Sequence, residues 1–96
     1  MPVIELLRVR RSDILNVAAR HGARDVRVFG SVVRGQERED SDVDFLVHMD
    51  DGRSLFDLTD LADELEALLQ RRVDVISDGG LSPFLSGRIL SEAVAL

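Results

Sequence analysis

From Ile4 to Ala19 apolar residues return at Leu7, Ile14, Leu15, Ala18 and Ala19 with arginines between them, a helical spacing rather than an alternation. His21-Gly22 closes this segment, and Ser12 fits either the cap of a second helix or the interior of a single one. Asp25 to Phe29 alternates, with Val26 and Val28 on one face and Arg27 and Phe29 on the other, which predicts a strand ended by Gly30-Ser31. Asp42 to His48 alternates again, placing Asp42, Asp44 and Leu46 on one side and Val43, Phe45 and Val47 on the other. Asp51-Gly52 is a turn signal. The stripe Leu55, Leu58, Leu61, Leu65, Leu68 and Leu69 predicts an amphipathic helix over Ser54 to Gln70, with Asp57, Asp60, Asp63, Glu64 and Glu66 as its wet face. Arg72 to Ser77 reads as a third strand, Asp78-Gly79-Gly80 as a loop, and Ser82-Pro83 as the N-cap and first position of a helix to about Glu92.

With a short helix started at Gly30-Ser31, the order is helix, strand, short helix, strand, helix, strand, helix. That order predicts an α/β (α+β) fold, a small mixed sheet of three or four strands covered by helices on one side. A chain of 96 residues has room for a single domain, residues 1–96, and little for a separate acceptor-binding module.

Composition narrows the function. With 45% apolar residues and only 4% aromatic, the chain can fold around an aliphatic core. A net charge of −6 opposes binding to a phosphate backbone, so a direct nucleic-acid partner is not expected. Cysteine is absent, which rules out disulfides and thiolate metal sites. The opening MPVIELLRVRR is too short and too charged for a signal peptide or membrane span. A cytoplasmic protein is the expectation.

The chemistry concentrates between Phe29 and Val47, in FGSVVRGQEREDSDVDFLV. A Gly-Ser turn leaves one strand, ten residues intervene, and an Asp-x-Asp pair opens the next. Backbone N–H groups at Gly30 and Ser31, with the Ser31 hydroxyl, suit triphosphate oxygens. Carboxylates two apart on a strand point the same way, their Cβ atoms about 6 to 7 Å apart. Asp42 and Asp44 can therefore share a pair of hard cations such as Mg²⁺. Asp74 interrupts the apolar run Val73-Asp74-Val75-Ile76; on a strand beside the Asp-x-Asp pair it would complete the cluster and accept an acceptor's proton. Three converging carboxylates repel one another without cations, so the set itself argues for metal.

This set resembles the DNA polymerase beta-like nucleotidyltransferase superfamily. Through RHGARDVRVFGSVVRG, SDVDFLV, SLFDL, RRVDVIS and LSPFLSGRILSEAV, the chain looks most like the minimal nucleotidyltransferase antitoxins of HEPN/MNT toxin–antitoxin pairs, over nearly its whole length. The resemblance implies a Mg²⁺-dependent enzyme that moves AMP from ATP to a tyrosine of a partner HEPN ribonuclease and so neutralises that toxin. On this sequence, Gly30 and Ser31 match the phosphate-binding turn, Arg34 the following arginine, Asp42 and Asp44 the paired metal ligands, and Asp74 the third acid. Val33 stands where many relatives carry Ala. The chain has no Tyr, so a tyrosine acceptor must come from another molecule.

Plainer readings exist for each part. Arg34 could pair with Glu37 or Glu39 on the surface, and Asp74 with Arg71 or Arg72. His48 is set aside as lying beyond the paired acids. The alternative functions are an antitoxin that masks its toxin by binding alone, and transfer to an RNA 3′ end or a small molecule.

Overall fold

The computed structural model describes residues 2–80 and 83–96. The N-terminal segment forms two helices, α1 (Val3–Val9) and α2 (Arg11–Arg20). The break is Arg10, whose φ of −94° and ψ of 14° leave the helical region. Ser12 therefore lies inside α2 and caps nothing. Leu7, Ile14, Val17 and Ala18 are buried from these helices.

Strand β1 spans Ala23–Phe29, α3 spans Ser31–Arg34, and β2 spans Val43–Met49. β1 begins two residues before the expected Asp25. Its register against β2 shifts between Arg24 and Arg27, where Asp25 has φ 52°, a left-handed conformation that Asp tolerates better than most residues. Helix α4 (Leu55–Leu69), strand β3 (Val73–Ser77), helix α5 (Pro83–Glu92) and the short strand β4 (Val94–Ala95) follow. The proposed Ser82 cap of α5 falls outside the described residues.

The four strands lie in the order β3-β2-β1-β4. β2 is antiparallel to β1 and parallel to β3, and β4 is antiparallel to β1. A parallel neighbour demands a crossover, which α4 supplies. Its start is fixed by a capping box: the Ser54 hydroxyl accepts from Phe56 N–H, and Asp57 accepts from Ser54 N–H at 2.8 Å. That backbone bond holds the Asp57 carboxyl below its ordinary range.

Helices on one side of the sheet was the expectation, and the structure corrects it. Val28, Val43, Phe45 and Val47 pack with Leu7, Ile14, Leu61 and Leu65 in the main core. Phe29 and Leu46 instead pack with Ile89 of α5, flanked by Ile76 and Ala93. Phe45 and Leu46 are both almost fully buried, although successive strand residues point to opposite faces. A sheet whose central strand is apolar on both sides needs cover on both, and α5 provides the second layer. Asp44 has the parity of Leu46, and Asp74 that of Ile76, so both acids belong to the face that α5 covers.

The acids of α4 are not uniformly a wet face. Glu66 turns back to accept Val73 N–H at 2.9 Å, and Glu64 holds Arg20 and His21 at 2.9 and 3.0 Å. Among the described residues no helix is long and apolar enough to cross a membrane.

Candidate active site at one end of the sheet

The end of β1 meets the start of β2, with Phe29 opposite Asp44, while Asp44 and Asp74 are register partners across the parallel β2–β3 pair. Adjacent strands lie about 4.8 Å apart, so these two carboxylates are held side by side by the ladder itself. The start of β3 is tied twice: Glu66 takes the N–H of Val73, and Val43 N–H donates to Arg72 C=O at 2.9 Å.

Gly30 follows with φ 80° and ψ −153°, a backbone that a side chain would strain. A Cβ on Gly30 would also overlap Asp44 Oδ2. Glycine here lets the turn lie directly against that carboxylate. Ser31 begins α3, and Gly35 ends it at φ 70°.

Asp42 immediately precedes β2 rather than lying in it, because pairing with β3 begins at Val43↔Val73. Its carboxylate accepts from Arg72 Nε at 3.0 Å. The loop leading to it is secured by Arg71 and Arg72, which donate to the carbonyls of Arg38 and Asp40 at 3.1 and 2.8 Å. On its other side Glu37 accepts Val3 N–H at 3.1 Å, which lowers the Glu37 carboxyl's pKa.

Asp44 is pushed up to about 6 from 3.8, first by burial, then by the charges of Asp74 and Asp42, with Arg34 opposing and Glu92 adding to the rise. A half-buried carboxylate amid other acids resists ionisation until a cation joins it. Among the described residues no three Asp, Glu or His side chains are already drawn together as an ion cage. The bond to Arg72 that holds Asp42 aside joins two largely exposed groups, with side chains 45% and 71% accessible. Such a pair contributes about 0 to 1 kcal/mol, so a divalent cation could draw Asp42 away from it. Hard carboxylate oxygens from Asp42, Asp44 and Asp74 are the donor set Mg²⁺ takes.

Arg34 pairs with neither Glu37 nor Glu39. Its Nε donates to Gln36 Oε1 at 3.1 Å, and its Nη1 to Glu92 Oε1. Glu92 also accepts Gly30 N–H through Oε2 at 3.3 Å. No sequence reasoning had singled out Glu92: it stands 62 positions from Gly30, and at the end of a helical run it looks like any solvated acid. An acid in the last turn of a helix, where the dipole favours bases, was the signal available. His48 lies toward the other end of β2 and meets Asp78 at 3.1 Å, apart from the paired acids.

The chain is similar to known proteins over most of its length. The nucleotidyltransferase domain family matches residues 12–96. A protein named as a candidate protein adenylyltransferase in Methanocaldococcus jannaschii is 42% identical over 84 residues, covering 88% of this chain and 90% of its own. The protein adenylyltransferase MntA of Thermococcus cleftensis is 44% identical over 75 residues, covering 78% and 76%. A solved structure described as a minimal nucleotidyltransferase superposes with a TM-score of 0.86 at 53% identity, over 96% of this chain and 94% of that one. An MNT antitoxin complexed with a tri-AMPylated HEPN toxin of Shewanella oneidensis shares the fold, with a TM-score of 0.71 at 18% identity over 92% and 69%. Sequence and fold together make this chain a member of the nucleotidyltransferase domain family, in the group of small protein adenylyltransferases.

Proposed function

We propose that the protein transfers AMP from ATP to a tyrosine hydroxyl of a HEPN-type ribonuclease partner in the cytoplasm, as the antitoxin of that pair. The observation that carries this reading is the Asp44–Asp74 register pair beside the Gly30–Ser31 turn, with Asp44 pushed up to about 6 by burial and its acidic neighbours. The relatives named as protein adenylyltransferases support the reaction, and the AMPylated toxin complex supports the class of acceptor.

The residues divide the work. The Gly30 turn brings the backbone close, Ser31 offers its N–H and hydroxyl to the triphosphate, and Arg34 adds a guanidinium beside them. Asp42, Asp44 and Asp74 would hold Mg²⁺, which when bound neutralises phosphate charge and acidifies the acceptor hydroxyl. Asp74, the exposed member of the register pair, accepts the acceptor's proton as its oxygen bonds to the α-phosphorus and pyrophosphate leaves. The chain lacks Tyr, so the acceptor enters from the partner's surface.

Incubation with labelled ATP, Mg²⁺ and a HEPN-type ribonuclease is expected to label that ribonuclease. Asp42→Asn combined with Asp44→Asn should reduce the label to background while the fold, followed by circular dichroism, persists. Label that survives the double substitution defeats the assignment.

A further inference from the structure

Glu92 acts on Asp44, yet none of the expected roles uses it. Its side chain is only 17% accessible, although it ends α5 in a turn with no basic residue. Negative charge at a helix C-terminus faces unsatisfied carbonyls and is disfavoured. The helix itself gains nothing from an acid here.

What Glu92 touches explains its place. One oxygen takes Gly30 N–H at 3.3 Å, and the other takes Arg34 Nη1. The carboxylate thus bridges the turn and the arginine that flank the expected triphosphate position. The main chain after it is fastened down: Ala93 N–H bonds Ile89 C=O at 2.8 Å, Val94 pairs with Val28, and Leu96 N–H bonds Val26 C=O at 3.1 Å. Ile89 packs on Phe29 and Leu46. Glu92 is therefore delivered by a rigid support on the same face as Asp44.

A guanidinium on a long side chain loses rotamer freedom when it grips a phosphate, and prior fixation lowers that cost. With Nε on Gln36 and Nη1 on Glu92, the plane of Arg34 is set. Among the described residues no acceptor takes its Nη2, which leaves a donor edge for a ligand.

We infer that Glu92 is a positioning residue of the nucleotide subsite, orienting Arg34 and the Gly30 turn to receive the triphosphate of ATP. The inference rests on the nucleotidyl-transfer reading and concerns binding of nucleotide, not the chemical step.

The test measures the affinity of the full chain for ATP with Mg²⁺ by calorimetry, alongside kinetics on the labelled acceptor. Glu92→Ala should weaken ATP binding and raise KM by on the order of tenfold, as expected for loss of a charge-assisted contact, with kcat changed less than about threefold. Glu92→Gln, which keeps the shape and one acceptor oxygen, should recover part of the loss. Placed on Arg34→Ala, Glu92→Ala should add little, because the two act through one contact. Wild-type affinity in the folded Glu92→Gln and Glu92→Ala variants overturns the inference, as does full additivity with Arg34→Ala. Tighter ATP binding also overturns it, by showing the carboxylate to be a competitor for the subsite. Direct binding separates this outcome from failure of the enzyme assignment: absent transfer with intact coupling in ATP affinity leaves Glu92's role standing.

Discussion

At the scale of single residues, Gly30 shows how a backbone conformation and a carboxylate are fitted to each other. Its positive φ would strain any side chain, and a Cβ would overlap Asp44 Oδ2 as well. Gly52 separates the two effects, since it has φ 85° with open space around it. Gly52→Ala is expected to cost about 1 kcal/mol from strain alone and to leave transfer near wild type. Gly30→Ala should cost roughly 1 to 3 kcal/mol and abolish transfer, because Asp44 must move. Denaturant midpoints and single-turnover labelling check both, and a Gly30→Ala enzyme with normal rate would show that the close approach is dispensable. The neighbouring of Asp44 and Asp74 and the turn at Gly30-Ser31 were legible, since their types and spacing are uncommon together; the place of Asp42 ahead of β2, on Arg72, was not. Glu92 was not, because nothing local distinguishes an acid that reaches across 62 positions from one facing water.

At the scale of elements, α4 was readable because it buries one clear set of side chains, Leu61, Leu65 and Leu69, and β2 and β3 because their short runs are rich in Val, Phe and Ile between turn signals. The break at Arg10 and the early start of β1 were not, because both depend on single backbone conformations, at Arg10 and at Asp25, that polar residues tolerate without announcing. Glu66 carries the most specific consequence. It faces β3 and holds the first N–H of the strand that bears Asp74. Glu66→Ala leaves that part-buried donor without its partner, for an expected loss of about 1 to 3 kcal/mol, whereas Asp63→Ala on the same helix should change stability by less than about 0.5 kcal/mol. The Glu66 variant should also show faster amide exchange at Val73 and Asp74. Equal stability of the two variants would place Glu66 among the merely solvated acids.

At the scale of the whole molecule, the site weakens the fold that carries it. Asp44 sits at about 6 instead of 3.8, so between roughly pH 4 and pH 6 the folded protein binds more protons than the unfolded chain. Stability of the metal-free protein therefore falls as pH rises through that window and stays lowered above it. Asp44→Asn has no proton to lose there. Its melting temperature should exceed that of wild type by a few degrees above about pH 7 and match it near pH 4, measured with a chelator present. Parallel curves for the two proteins would mean that Asp44 ionises without penalty. The two-sided cover of the sheet was also hidden from sequence, because strand alternation says which residues share a face but not which helix crosses to which side. Finally, the parallel register that sets Asp44 against Asp74 makes the gene more tolerant of replacement than of length change. One codon gained or lost between Gln70 and Val73 would slide β3 by a single position and turn its acid toward the helices of the main core. Inserting or deleting a residue in that link should silence the enzyme far more often than exchanging any of its side chains.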